Sequence, residues 1–307
     1  MSAKKVVVIG SLNYDIIVKQ DRMPLKGETF TGNDLVQGPG GKGSNQAAEC
    51  ALLGLNTSMI GKVGDDRFGE ALIGSLKASG VDTSHIKKFG ITGLGLVHVM
   101  PDGDYYSTII KGANYLITKD DIYEAKDMIQ EADYLILQQE IPECVTEYII
   151  EEFGDSPIYL ILNNAPAKNI KNDLLNKIDM LIVNESEVSF MINQEIQTYE
   201  EAINAATKLR ELVKDTVIVT LGSKGSVAVN KNEVLTCSAE KVEAIDASGA
   251  GDSYIGGIVY GLVNNMSLED SMIFASKVGA ITVTRNGGQD SFPTIEEVNK
   301  ALKEKNC

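Results

Sequence analysis

Two carboxylates bracket a run of small residues in Asp246-Ala-Ser-Gly-Ala-Gly-Asp252, and the chain then turns apolar through Ser253-Tyr-Ile-Gly-Gly-Ile-Val-Tyr-Gly-Leu-Val263. The second stretch has the length and content of a buried helix, which makes the first a glycine-rich loop opening that helix. A helix start leaves up to about four backbone N–H groups unpaired and carries roughly half a positive charge, so it is a site for an anion. Asp252 would stand in the first turn, and a carboxylate beside bound phosphate can accept the proton of an incoming alcohol. The chemistry these parts compose is phosphoryl transfer. The same residues also describe a plain helix cap, so the rest of the chain must decide between the two.

The elements that would position this loop follow one rhythm. Val6 to Ile9 is a β-branched run ending in Gly10, the pattern of a strand buried on both faces of a parallel sheet. Further apolar runs at 58–63, 133–138, 158–162, 180–183 and 216–220 alternate with helical stretches at 68–79, 119–131, 200–213, 251–264 and 268–284. Each strand ends in a polar cluster: Asn13 and Asp15, Gln139 and Glu140, Asn163 and Asn164, Asn184-Glu-Ser-Glu187, and Leu221-Gly-Ser-Lys-Gly225. In open α/β sheets that edge is where ligands bind. Asn13 and Asp15 are two apart, so their side chains leave a strand in the same direction. Asn184 and Glu187 have the spacing of a capping box. Residues 225–230 and 233–236 read as an antiparallel hairpin, which makes the sheet mixed.

Two stretches break the rhythm. Short β-like pieces at 16–19 and 29–31, and a hairpin of 93–100 with 104–111 around Pro101-Asp-Gly103, read as a small sheet forming a lid. The expectation is an α/β, Rossmann-like three-layer fold with a mainly parallel central sheet, residues 1–307 forming one domain whose β lid is built from about 13–33 and 93–111. Gln37-Gly-Pro-Gly-Gly-Lys-Gly-Ser-Asn-Gln46 leads into a helix. Gly38, Gly40 and Gly43 match a dinucleotide fingerprint, but a polar insertion separates them from the first strand, and Gly43 stands where a P-loop has Ser or Thr. The glycines then serve close backbone approach, with Lys42 and Asn45 as donors at a helix start.

Composition bounds the ligand. A net charge of −15 disfavours nucleic acid and anionic membrane, so a phosphate-bearing small molecule must be held by local N–H groups, lysines and metal. Cys50, Cys144, Cys237 and Cys307 form no C-x-x-C, which implies reduced thiols and a cytoplasmic protein. The two histidines, His85 and His98, carry no chemistry in this reading.

Together these sites resemble the ribokinase (PfkB-type) carbohydrate kinase family over the whole chain. The matches are Gly10-Ser-Leu-Asn-Tyr-Asp15, Gly40-Gly-Lys-Gly-Ser-Asn-Gln46, Lys111-Gly-Ala-Asn114, Gln139-Glu140, Ala165-Pro-Ala167, Asn184-Glu-Ser-Glu187, Thr220-Leu-Gly-Ser223, Gly249-Ala-Gly-Asp252 and Val283-Thr-Arg285. The resemblance implies ATP-dependent phosphorylation of D-ribose at its 5-hydroxyl, with Asp252 as base and the N–H groups of Gly249, Ala250 and Gly251 as anion hole. It assigns the sugar to Asn13, Asp15, Gly41, Lys42, Gly43, Asn45, Glu140 and Asp252. It assigns the nucleotide to Asn184, Glu187, Thr220, Gly222, Ser223, Gly225, Gly251 and Ser276, with Asn184 and Glu187 helping to position hydrated Mg²⁺. It places a monovalent cation, K⁺, at Asp246, Ser248, Thr282, Arg285, Gly287 and Ser291, partly through backbone oxygens, and it implies a homodimer formed through the lid.

Several positions depart from the family pattern. Asn164 replaces a usual proline and is expected to loosen its loop; Ser248 replaces a frequent threonine; Ser276 stands where Asn or His often meets the nucleotide; Asp290 adds a charge near the cation loop. The alternatives are another sugar or nucleoside kinase of the family acting on deoxyribose, fructose or a nucleoside, an NAD-dependent oxidoreductase, and a sugar-binding regulator without catalysis.

Overall fold

The computed structural model describes residues 3–101 and 105–304. Met1 and Ser2, the turn expected at Asp102-Gly103, Asp104 and Cys307 lie outside them. In chain order the elements are β1 (Lys5–Ile9), β2 (Asn13–Lys19), β3 (Asp34–Gly40), α1 (Lys42–Leu52), β4 (Asn56–Val63), α2 (Arg67–Ala78), β5 (Asp82–Lys88), β6 (Gly93–Val99) and β7 (Tyr105–Ile110). There follow α3 (Lys119–Glu124), α4 (Lys126–Gln130), β8 (Tyr134–Leu137), α5 (Glu143–Phe153), β9 (Tyr159–Asn163), α6 (Asn172–Leu175), β10 (Met180–Asn184), α7 (Glu185–Ile192) and α8 (Tyr199–Arg210). The last are β11 (Thr216–Thr220), β12 (Gly225–Val229), β13 (Val234–Ser238), α9 (Ala250–Val263), α10 (Leu268–Val283) and α11 (Ile295–Glu304).

Nine strands form the central sheet in the order β13-β12-β11-β10-β9-β8-β1-β4-β5, parallel except where the β12–β13 hairpin folds back beside β11. The β-branched runs suit this layer because every other residue enters a different core. Val7, Ile9, Leu135, Leu137, Leu160 and Leu162 face the helices α3 to α8. Val6, Val8, Ile136, Ile161, Ile182 and Ile218 face α1, α2, α9 and α10. With both faces covered, each of these side chains contributes about 1.5–3 kcal/mol of burial. The fold is the three-layer α/β arrangement expected, with a mainly parallel large sheet and a small separate one.

That small sheet has the order β3-β2-β6-β7, and its boundaries correct the reading of the lid. No strand forms at 29–31; the returning strand is Asp34–Gly40, antiparallel to β2. Asp34-Leu-Val-Gln-Gly-Pro-Gly40 looks like a loop because of its proline and glycines, yet β3 is an edge strand, where a missing N–H costs nothing to a ladder. Two other elements carried weak signals. β5 is the polar edge strand Asp-Thr-Ser-His-Ile-Lys-Lys, without an apolar run, and α11 lies beyond the last stretch that read as helical. The helix expected over 119–131 is broken at Ala125 into α3 and α4.

Candidate active site

α9 begins at Gly249, whose φ of 77° lies in the left-handed region and whose place a larger residue would fill with a Cβ 2.6 Å from the Phe292 ring. No side chain caps this helix. The N–H of Ala250 donates to the Ala247 carbonyl at 3.2 Å, so it closes the entering turn, and the N–H groups of Gly251 and Asp252 are the next ones at the helix start. A Cβ at Gly251 would meet nothing within 4 Å, so the space over this turn is open. Asp252 is buried, and each carboxylate oxygen is held by an amide from α1: Asn45 Nδ2 donates to Oδ2 at 2.9 Å and Gln46 Nε2 to Oδ1 at 2.9 Å. A cap would have turned its oxygens to its own backbone. Here they are fixed by another helix and aimed at the pocket.

The residues expected on the sugar side come from both sheets. β2 supplies Asn13 and Asp15, and the loop after β8 supplies Glu140. Asn13 Oδ1 accepts from Asn114 Nδ2 at 2.7 Å, and Asn114 in turn holds the Leu12 backbone at both its N–H (2.8 Å) and its carbonyl (3.1 Å). Glu140 accepts from Ser11 Oγ at 2.5 Å and from the Lys42 N–H at 3.1 Å, which ties the strand end to the start of α1. α1 must approach very closely. Gly41 has φ 90°, and a Cβ there would lie 2.6 Å from the Asn13 nitrogen, while one at Gly43 would lie 2.6 Å from the Ser11 nitrogen. Burial acts to lower the Lys42 ammonium, but the carboxylates of Asp252, Glu140 and Glu187 outweigh it and hold it above the ordinary lysine value.

Along the same sheet edge, Asn184 and Thr220 are register neighbours on β10 and β11. Asn184 caps α7: its Oδ1 accepts from the Glu187 N–H at 2.9 Å, and Glu187 Oε2 accepts from the Asn184 N–H at 2.9 Å. Burial raises Glu187 above the usual carboxylate range, against the Asn184 hydrogen bond and the Lys42 charge. Gly222 and Ser223 are exposed on the turn after β11, and Gly225 opens β12. Ser276 is half-buried on α10, three residues before Gly279, where a Cβ would lie 3.8 Å from the Ala250 carbonyl oxygen.

Of the residues expected around a monovalent cation, several gather and two turn away. Asp246 accepts from the Ser248 N–H at 2.8 Å and the Gly287 N–H at 3.0 Å, and Ser291 Oγ donates to the Gly288 carbonyl at 2.7 Å. Burial would raise Asp246, but these hydrogen bonds outweigh it and hold the carboxyl below its usual range. The Arg285 guanidinium pairs instead with Glu297 at 2.7 Å, and the Thr282 hydroxyl is engaged by Ser253 Oγ and the Val278 carbonyl, both at 3.0 Å. Only backbone oxygens of those two remain to serve such a site. Asp290 is exposed. Asn164 does not loosen its loop: it is fully buried, its Nδ2 donates to the Lys168 carbonyl at 3.0 Å and its Oδ1 accepts from the Lys168 N–H at 3.3 Å, closing the turn.

Comparison with known proteins places this geometry. The family model described as pfkB family carbohydrate kinase matches residues 3–295. The chain belongs to the pfkB family. It is 34% identical over 301 residues to the ribokinase of Bacillus subtilis (strain 168), covering 97% of this chain and 99% of that one. It is also 33% identical over 301 residues to a deoxyribokinase of Salmonella typhi, at 97% and 98% coverage. The ribokinase of Arabidopsis thaliana, solved with ribose and ATP, superposes at a TM-score of 0.91 with 30% identity and 99% of each chain covered.

As a pfkB family member the chain is an ATP-dependent sugar kinase, and its glycines fit no dinucleotide fingerprint. Gly38 and Gly40 lie within β3 and Gly43 within α1, not in a turn leading directly from β1 into a helix. What sequence reasoning left unassigned is the amide scaffold behind Asp252. Gln46 Oε1 accepts from Gln138 Nε2 at 2.7 Å, Gln46 Nε2 reaches Asn163 Oδ1 at 3.2 Å, and Gln289 reaches Asn45. Gln46 and Asn114 stood inside matched motifs, but nothing in their spacing gave their partners, which are 92 and 102 residues away in sequence.

Proposed function

We propose that this pfkB kinase transfers the γ-phosphoryl group of ATP to the 5-hydroxyl of D-ribose, with Asp252 as general base. The observation that carries the reading is Asp252 itself, buried at an uncapped helix start with each oxygen held by one amide of α1. The sugar hydroxyl gives its proton to Asp252, its oxygen attacks the γ-phosphorus, and the bond to the bridging oxygen breaks to release ADP. The helix start, through the N–H groups of Gly249, Gly251 and Asp252 with Ala250 in the same turn, faces the charge that grows on the transferring group. Asn13, Asp15, Gly41, Lys42, Gly43, Asn45 and Glu140 hold the sugar; a buried hydroxyl pocket of this kind rejects analogues that leave a partner unpaired.

Around Lys42 stand the carboxylates of Asp252, Glu140 and Glu187, an excess of negative charge that would repel a polyphosphate. Bound Mg²⁺ would neutralise that charge, and Asn184 and Glu187, carboxamide and carboxylate at the nucleotide edge, are suited to position its water shell. Thr220, Gly222, Ser223, Gly225 and Ser276 would flank the nucleotide. The oxygen-rich turn of Asp246, Ser248, Gly287 and Ser291, with carbonyls of Thr282 and Arg285, suits K⁺, which would brace the loop leading into α9. The small sheet leaves Leu35 and Tyr106, which lie in one register row on the same face, more than half-exposed at 52% and 58%, and a homodimer through the lid would cover such a surface. Among the described residues no helix is long and apolar enough to cross a membrane, and cytoplasmic residence is part of the proposal.

Asp252→Asn tests the chemistry. It should keep fold and ATP binding and lose about 10²- to 10⁴-fold in kcat; near-normal turnover refutes the assignment. Because a deoxyribokinase stands almost as near in sequence as a ribokinase, the acceptor is decided by an ADP-release screen over ribose, deoxyribose, hexoses and nucleosides, run with and without K⁺.

A further inference from the structure

Gln289 is buried, 7% exposed, on the turn Gly288–Ser291. Its Nε2 donates to Asn45 Oδ1 at 3.0 Å and to Ser44 Oγ at 3.0 Å, and its Oε1 accepts from Ser75 Oγ on α2 at 3.2 Å. Asn45 Nδ2 then donates to Asp252 Oδ2 at 2.9 Å. The direction of this string matters. A carboxylate only accepts, so Asn45 must turn its nitrogen toward Asp252 and its oxygen away, and that oxygen needs a donor behind it. Gln289 supplies the donor, and Ser44 fixes which end of Gln289 faces forward, because its hydroxyl already donates to the Gly40 carbonyl at 2.5 Å and so accepts from the Gln289 nitrogen. The loop is anchored as well, since the Gly287 N–H donates to Asp246 at 3.0 Å.

We propose that Gln289 is a positioning residue for the transfer reaction: it sets the orientation of the Asn45 amide, and through it the face that Asn45 and Asp252 present to the sugar. This rests on the roles given above to Asn45 and Asp252. Without the donor, Asp252 alone holds Asn45 and the Asn45 oxygen is left buried without a partner, so the amide shifts to pair it and changes the face offered to the sugar. A residue that served only to fill space at this position would affect stability and leave the sugar's kinetic constants alone.

The test is a double-mutant cycle between Gln289 and Asn45 on the full chain, read separately for sugar and ATP. Gln289→Met keeps the side-chain length and removes the donor; it should lower kcat/KM for ribose about tenfold, the loss of one buried hydrogen bond, with the KM for ATP within about twofold. In an Asn45→Ala background the same change should cost less than about twofold, because its target is gone. A Gln289→Met enzyme with normal sugar kinetics, or a loss that multiplies fully onto that of Asn45→Ala, overturns the proposal. Should the methionine variant fail to fold, Gln289→Glu decides: it keeps the size and replaces the donor facing Asn45 by an acceptor, and near-normal ribose turnover there also sinks the idea. The Asp252→Asn enzyme separates the two readings. If it keeps near-normal turnover, the base role of Asp252 fails; if its turnover is lost while the Gln289 variants are unimpaired, only the positioning role fails.

Discussion

Asp15 faces a crowded pocket: a Cβ at Gly40 or Gly95 would overlap its carboxylate oxygens, and no hydrogen bond or ion pair reaches it among the described residues. Burial first, then the charges of Glu140 and Asp252, push its carboxyl from 3.8 up to about 7. A carboxyl raised on folding favours the protonated folded state, so its contribution to stability is full below pH 3.8 and is lost as pH rises through about 7. Asp15→Asn should therefore be more stable than the parent at pH 8, with a gain in urea midpoint that shrinks toward pH 5, while ribose affinity falls; an equal shift at both pH values would count against the burial of Asp15. That Asp15 leaves the backbone on the same side as Asn13 was legible from their two-residue spacing on a strand. Its protonation was not, because Glu140 and Asp252 arrive from distant parts of the chain. The amide scaffold was hidden for the same reason: a glutamine inside a motif does not announce which residue it will meet.

Among elements, the closest packing is between α9 and its neighbours. Gly257 faces Ala275 on α10, where a Cβ would come within 2.6 Å of the Ala275 Cα. Replacing a mid-helix glycine by alanine gains about 1 kcal/mol of helix propensity, but overpacking against backbone costs about 1–3 kcal/mol. The clash wins at this position, so Gly257→Ala should lower the melting temperature. Gly74 on α2 is the control, since a Cβ there meets nothing within 4 Å. Gly74→Ala should stabilise by about 0.5–1 kcal/mol in thermal unfolding. If both changes moved Tm the same way, the contact between α9 and α10 would be looser than described. Long β-branched strands and polar strand ends made the central sheet readable, since burial on both faces leaves a continuous apolar run. β3 and β5 were unreadable for the opposite reason: edge strands tolerate proline, glycine and charge, so they carry the composition of loops.

At the scale of the molecule, Leu35 and Tyr106, exposed on one face of the small sheet, argue for association. Sedimentation at micromolar concentration should show a dimer, and Tyr106→Lys, at a position where the side chain is 58% exposed and holds up no core, should shift it to monomer with the fold intact; a parent that sediments as a monomer would remove the lid from the list of interfaces. The two sheets share no strand, and the residues proposed to hold the sugar are divided between them: Asn13 and Asp15 stand on the small sheet, while Asn45, Glu140 and Asp252 belong to the large layer. A sugar in that seam is therefore a fastener. It is held from both sides only while the small sheet stays seated on the large one, so sugar affinity and the cohesion of the two sheets are a single quantity measured in two ways.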